Sequence, residues 1–302
     1  MSKVKFTGVM PALVTPLDKR GRVKIEAVKK LIDDNLKTEV TGFYAVGGTG
    51  EGVLLNISQR KAMAEAVIEA NAGRGKIIIH TGSINSSEVM ELTRHATEIG
   101  ADGVSAVPPS IYFGYTLEET VAFYKEMAAN TDLPLIVYAN PQTSAGADVN
   151  RMMELLLDVE NICGAKDTRG DYYKMWKLKQ CNGGDINVIN GPDDTFLCGL
   201  TVGADGGIGS TYSLMPELFV DLYRKFKAGD IVAAQEVQNH LNRIIGVLIG
   251  WADGNVIRPV KESLRLSGYD VGCACLPAME YSPEKLAAFK AAMEAAGYVY
   301  PA

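Results

Sequence analysis

The sequence predicts a (β/α)8 barrel carrying a helical extension at its C-terminal end. Short runs rich in β-branched residues recur along the chain, each followed by a stretch with helical periodicity. Runs such as PLIVYAN, from Pro134 to Asn140, and KIIIHTG, from Lys76 to Gly82, are apolar at successive positions, which suits parallel strands covered on both faces. There are eight runs, more than an open doubly wound sheet normally uses. The glycine turn Gly47-Gly48-Thr49-Gly50-Glu51-Gly52 also fits neither the dinucleotide-binding spacing nor the Walker pattern.

Taken in order, the first strand runs from Gly8 to Pro16 and is followed by a helix over Ile25 to Asn35. Gly42 to Gly48 precedes the helix Ser58 to Asn71, and Lys76 to Gly82 precedes Ser86 to Ile99. The fourth strand, Gly103 to Pro109, leads into Leu117 to Ala129, and the fifth is Pro134 to Asn140. Ile162 to Thr168 is followed by Asp171 to Lys179, and Ile186 to Pro192 and Gly206 to Ser213 complete the eight. Each run stops at a small or polar residue, as a strand does where it enters a loop. Beyond the eighth unit, Asp230 to Trp251, Arg258 to Leu266 and Ser282 to Ala296 read as further helices. No linker or low-complexity tract intervenes, so residues 1–302 are expected to form one domain, with the barrel over about 8–227 and the added helices over about 228–302.

Composition narrows the function classes. A chain of 302 residues with 47% hydrophobic and 22% charged residues is an ordinary globular protein that can bury a full core. Thirty basic against 36 acidic residues leave a net charge of −6 with no basic run, which argues against nucleic acid as a partner. The N-terminal MSKVKFTGVMPALVTP is broken by Gly8, Pro11 and Pro16 and lacks the apolar core of a signal peptide. No stretch approaches the roughly 20 apolar residues of a membrane span. Five cysteines, Cys163, Cys181, Cys198, Cys273 and Cys275, form no zinc or CxxC spacing and read as reduced thiols of a cytoplasmic protein. His80, His95 and His240 form no HExxH or HxH pattern, so they are expected to be structural or surface residues, and no metal site is expected.

In a barrel of this kind, reactive groups sit where the strands end. That rule selects Thr49 and Glu51 after strand two, Tyr112 after strand four, Tyr138 and Asn140 in strand five, and Lys166 and Thr168 in strand six. Asp193 and Asp194 follow strand seven, and Ser210 and Thr211 lie in strand eight. Lys166 ends an otherwise apolar run, Ile162-Cys163-Gly164-Ala165. Desolvation there favours the neutral amine, the form that attacks a ketone. A lysine at that position equally suits snorkelling to solvent or pairing with an inward carboxylate such as Asp193, and position alone does not decide. Tyr138 on the neighbouring strand would bring a phenol near the amine, as a proton carrier or as a core tyrosine. The turn from Gly47 to Glu51 offers closely spaced amides and a hydroxyl, which is either an anion nest or a plain tight turn.

These segments carry a resemblance. GGTGE at Gly47 to Glu51, LIVYANP at Leu135 to Pro141, GAKDT at Gly164 to Thr168 and GADGGIGSTY at Gly203 to Tyr212 occur in order at successive strand ends. From about Gly8 to at least Gly272 the chain resembles the N-acetylneuraminate lyase and dihydrodipicolinate synthase superfamily of class I pyruvate-dependent aldolases. The resemblance implies Lys166 as the Schiff-base lysine, Tyr138 as the catalytic tyrosine, and Gly48, Thr49 and neighbouring amides as the carboxylate-binding turn. It implies Tyr112, Thr168, Gly191, Asp193, Asp194, Ile208 and Ser210 as further substrate contacts. It implies no organic cofactor or metal, because the iminium formed with pyruvate is the electron sink, and it implies a cytoplasmic homotetramer acting on a small keto acid or sugar acid.

Within the superfamily, Pro141-Gln142-Thr143-Ser144 lacks the arginine that synthases place after this segment. Lys166-Asp167-Thr168 replaces their Lys-Glu-Ala, and Gly209-Ser210-Thr211-Tyr212 looks like the sialic acid lyases. The expected reaction is reversible cleavage of a sugar 2-keto acid such as N-acetylneuraminate to pyruvate and an aldehyde sugar. A 2-keto-3-deoxy sugar-acid aldolase is the alternative, and a dihydrodipicolinate synthase the third. Gly48 stands where the lyases have serine and the synthases threonine. Ile111 or Tyr112 falls where a neighbouring subunit's tyrosine completes the proton relay, and Asp194 is shorter than the usual glutamate. A non-catalytic pyruvate-binding relative with a broken relay is the reading from a different class.

Overall fold

The computed structural model describes residues 3–109, 113–140 and 148–301. Its eight strands are β1 (Gly8–Pro11), β2 (Gly42–Ala45), β3 (Lys76–His80), β4 (Gly103–Ala106), β5 (Leu135–Ala139), β6 (Ile162–Asp167), β7 (Asn187–Asn190) and β8 (Gly206–Gly209). All recorded pairings are parallel, in the order β1-β8-β7-β6-β5-β4-β3-β2. The sheet closes between its two ends through a parallel bridge from Ala12 to Tyr44. There the Leu13 amide donates to the Tyr44 carbonyl and the Thr41 amide to the Val9 carbonyl, both at 2.9 Å. The protein is therefore a (β/α)8 barrel.

Each strand is shorter than the apolar run that announces it. The trimmed residues lie almost wholly at the C-terminal ends, where the chain leaves the ladder to form the mouth. The helices around the sheet are α1 (Ile25–Leu36), α2 (Ile57–Asn71), α3 (Ser86–Glu98), α4 (Leu117–Ala129), α5 (Val149–Leu156), α6 (Tyr172–Lys179), α7 (Phe196–Thr201) and α8 (Pro216–Lys227). Helices α5, α7 and α8 were not singled out by periodicity. Helix α7 spans six residues, too short to display a repeat, and α8 opens on Pro216, which reads as a break but sits at the permissive first turn. Local chemistry fixes several starts. Asn56 with Gln59, and Thr116 with Glu119, form reciprocal capping boxes at α2 and α4.

Two apolar layers result. The larger packs the outward face of the strands against the helices, and it runs on without interruption into α9 (Ile231–Gly250) and α11 (Pro283–Ala295) through residues such as Leu241, Ile244 and Phe289. The smaller fills the barrel interior with Phe6, Met10, Ala12, Tyr44, Ile78, Ile136, Cys163, Ile189 and Ile208. The barrel is thus a plugged core with a site only at its rim. Helix α10 (Ile257–Leu266) is buried along most of its length, including Lys261, Glu262 and Ser263. Among the described residues no helix is long and apolar enough to cross a membrane.

Candidate active site at the barrel mouth

The site starts from a β-bulge. Leu135 of β5 pairs with Ile162 of β6, but Ile136 pairs with Gly164, so β6 carries one extra residue there. Only glycine fits at position 164, because a Cβ would lie 1.8 Å from the Asn187 carbonyl oxygen. Past the bulge, Tyr138 and Lys166 are direct partners in the ladder. Strand alternation then sends Asp167 outward, where its carboxylate takes the Arg169 Nε at 2.9 Å and Nη2 at 2.6 Å. The acid adjacent in sequence is thereby removed from the lysine.

Lys166 is 6% exposed. Its Nζ lies 4.0 Å from the Tyr138 ring centroid and 5.7 Å from that of Tyr44, and it donates to Thr168 Oγ1 at 3.3 Å. The pairing with Asp193 does not form. The Asp193 carboxylate instead accepts from the Thr211 amide and hydroxyl, both at 2.7 Å, and from the Ser210 hydroxyl at 3.3 Å. Burial pushes the Asp193 carboxyl above its ordinary range, against the pull of those donors and of the Lys166 charge. Burial also acts to raise the half-buried Tyr138 phenol. The Lys166 charge and hydrogen bonds from Lys166 and Thr168 outweigh it and bring the phenol below its usual value.

Beneath this pair lies a polar floor that the sequence did not single out. The rings of Tyr44, His80 and Tyr138 approach one another at 6.1 to 6.4 Å between centroids, with Tyr138 edge-on to both others. Tyr44 donates its hydroxyl to Ser105 Oγ at 3.1 Å. His80 accepts the Val107 amide on Nε2 at 3.2 Å, which assigns its proton to Nδ1. Burial, with the nearby Arg60 and Lys166 charges, lowers the His80 pKa to about 3, so the ring is neutral. Arg60 is itself buried, donates Nη2 to the His80 carbonyl at 2.9 Å, and is lowered by desolvation to about 10. Alternation along β2, β3 and β4 was the available signal, since Tyr44, His80 and Ser105 are the inward positions just below the strand ends.

The turn from Gly47 to Glu51 rests on this floor, Gly47 so close to Tyr44 that a Cβ would lie 2.5 Å from its ring. Within the turn the Glu51 amide donates to the Gly48 carbonyl and the Gly52 amide to the Gly47 carbonyl, both at 3.0 Å. The amides of Gly48, Thr49 and Gly50 donate to no acceptor among the described residues. Three successive uncommitted amides are available to a small anion. A Cβ on Gly48 would meet nothing within 4 Å, so the missing hydroxyl of that position leaves open space. Glu51 turns away from the mouth and is buried.

On the opposite rim, Gly191 donates its amide to the Asp167 carbonyl at 2.8 Å and lies so near Thr168 that a Cβ would be 2.2 Å from Oγ1. Asp194 is exposed at the start of the short 3-10 turn Asp193–Thr195. Ile208 belongs to the interior plug and is fully buried. Tyr112 and Ile111 lie outside the described residues, as do Gln142, Thr143 and Ser144. His95 meets Glu65 at 2.8 Å on the surface, all five cysteines are free, and no cluster of three or more metal-ligating side chains occurs among the described residues.

Comparison with known proteins matches the dihydrodipicolinate synthetase family over residues 5–296. The chain belongs to that family. The N-acetylneuraminate lyase 2 of Escherichia coli O6:H1 is 34% identical over 265 residues, covering 87% of this chain and 85% of that protein. Among solved structures, the Ruminococcus gnavus sialic acid aldolase, a catalytic lysine mutant, superposes with a TM-score of 0.92 at 29% identity, covering 98% of this chain and 97% of that one. YagE, a prophage protein of the dihydrodipicolinic acid synthase family from E. coli K12 solved in complex with pyruvate, gives 0.91 at 26% identity, covering 98% and 100%. The family is known here from the whole barrel rather than from one motif.

Proposed function

We propose that this member of the family is a pyruvate-dependent class I aldolase that cleaves a sugar 2-keto acid of the N-acetylneuraminate type to pyruvate and an aldehyde sugar. The observation that carries the reading is the Lys166 amine, enclosed at the barrel mouth without a carboxylate partner among the described residues and set 4.0 Å over the Tyr138 ring. The identity to N-acetylneuraminate lyase 2 supports the substrate class.

In this mechanism Lys166 gives up its ammonium proton and adds to the keto carbon as the free amine, and Tyr138 passes a proton to the oxygen that leaves as water. The resulting iminium draws the electron pair of the breaking carbon-carbon bond, while the Tyr138 phenolate takes the proton of the hydroxyl that becomes the aldehyde. The enamine left on Lys166 is protonated at carbon, and water releases pyruvate and the free amine. The substrate carboxylate sits on the amides of Gly48, Thr49 and Gly50 with the Thr49 hydroxyl. Thr168, Gly191, Asp193, Asp194 and Ser210 contact the hydroxylated tail. Gly191 acts through its backbone, and Asp193 is held by Thr211 and Ser210. The enzyme acts as a cytoplasmic homotetramer, in which the sequence position of Ile111 or Tyr112 would supply the relay tyrosine to a neighbouring subunit.

A substrate panel tests the assignment. Pyruvate release is expected from N-acetylneuraminate. Release from 2-keto-3-deoxygluconate alone would replace the sugar assignment, and condensation of pyruvate with aspartate semialdehyde alone would make the protein a synthase.

A further inference from the structure

A second lysine of this fold is more deeply buried than Lys166 and plays no part in the chemistry above. Lys261, on α10 of the C-terminal extension, is 1% exposed. Its Nζ lies 2.6 Å from Glu51 Oε2 and donates to the carbonyls of Thr15 and Cys273 at 2.9 Å each. The two carbonyls take two of its hydrogens, and the Glu51 carboxylate meets its charge as a close ion pair. Glu51 is equally tied, since its other oxygen accepts the Cys275 amide at 2.6 Å. Thr15 closes the circuit by donating its hydroxyl to the Gly50 carbonyl at 2.6 Å. The end of the turn is therefore gripped at Glu51 by the C-terminal segment and at Gly50 by the loop after β1.

The turn needs such a grip. Val46 and Glu51, both non-glycine, are held at φ of 61° and 55°, in the left-handed region, at the two ends of the turn. Only glycine fits at position 52, because a Cβ there would lie 2.0 Å from the Val46 carbonyl oxygen. Such a conformation persists when its surroundings over-determine it, and burying two opposite charges is costly unless their geometry and extra hydrogen bonds are good. Here both conditions meet at the segment that carries the three uncommitted amides.

We propose that Lys261 is a positioning residue for the carboxylate of the keto acid: through Glu51 it fixes the Gly47–Glu51 turn so that the amides of Gly48, Thr49 and Gly50 converge on that anion. The inference rests on the aldolase reading above and deepens it. It makes the C-terminal helix part of the apparatus that selects 2-keto acids over simple ketones, although α10 reaches no substrate atom itself.

The test compares two carbonyl compounds that differ at the carboxylate. Borohydride trapping on the full-length protein is measured with pyruvate and with hydroxyacetone, for wild type, Lys261→Met, and the double variant Glu51→Gln with Lys261→Met. The double variant removes both buried charges with little change of volume and remains informative where the single one fails to fold. The pyruvate concentration giving half-maximal labelling is expected to rise about tenfold or more, while hydroxyacetone labelling changes less than about twofold, as a displaced anion site should behave. An unchanged pyruvate concentration dependence overturns the proposal. A parallel loss with both compounds overturns it too, because Lys261 would then support the fold and not the carboxylate site. A wild type that pyruvate does not label at all removes the aldolase reading itself, and this inference with it.

Discussion

At the scale of single residues, the division of labour between Tyr138 and Thr49 is open to direct measurement. Tyr138 offers a phenol beside the Lys166 amine, and removing its hydroxyl deletes a proton carrier without opening a large cavity. Tyr138→Phe is expected to lower kcat for cleavage roughly 10²-fold or more, the usual scale for a positioned acid-base group, and to leave KM nearly unchanged. Thr49→Val should show the reverse bias, raising KM more than it lowers kcat, because it weakens the anion site and spares the proton path. Steady-state kinetics on the best substrate decide both. A Tyr138→Phe enzyme keeping more than about half of wild-type kcat would take the phenol out of the mechanism. Lys166 and Tyr138 were legible in the sequence because each is a polar residue closing an apolar run. The sequence left Lys166 open to imine formation or to an ion pair with Asp193, and in the fold that pair does not form because Ser210 and Thr211 hold the Asp193 carboxylate.

At the scale of elements, strands were readable, and their inward faces followed only from alternation counted along each strand. The eight runs and most helices stood out by pattern, whereas α7 is shorter than two turns and α8 begins on proline. The β5 to β6 bulge left no mark beyond Gly164, yet it sets which residues of β6 face the interior. His80, expected to be structural or at the surface, closes the inner face of β3 and braces Tyr138 from below. Its pKa falls from 6.5 to about 3 on folding, so between those values the unfolded chain binds a proton that the folded one refuses. The stability this neutral ring contributes is present above about 6.5 and is lost as the pH falls toward 3. Thermal unfolding followed across that window should show a melting temperature that drops with acid, and less steeply in His80→Gln. Identical slopes in the two proteins would mean that the ring does not stay neutral in the fold.

At the scale of the molecule, the C-terminal helices are continuous with the barrel core and reach the catalytic rim through Lys261 and Glu51. That connection was invisible in the sequence because the partners lie 210 positions apart and neither belongs to a local motif. What does converge locally, the closed barrel, the plugged interior and the polar rim, leaves one enclosed amine facing the mouth, and the whole account depends on its chemistry. The direct measurement is reductive trapping: the intact protein is incubated with pyruvate and borohydride, weighed by mass spectrometry and mapped by peptide. The account predicts a gain of one reduced pyruvyl group per chain, located on Lys166. Lys261, buried in α10 against Glu51, Thr15 and Cys273, should remain unlabelled. An unchanged mass, or a label on any lysine other than Lys166, would contradict it.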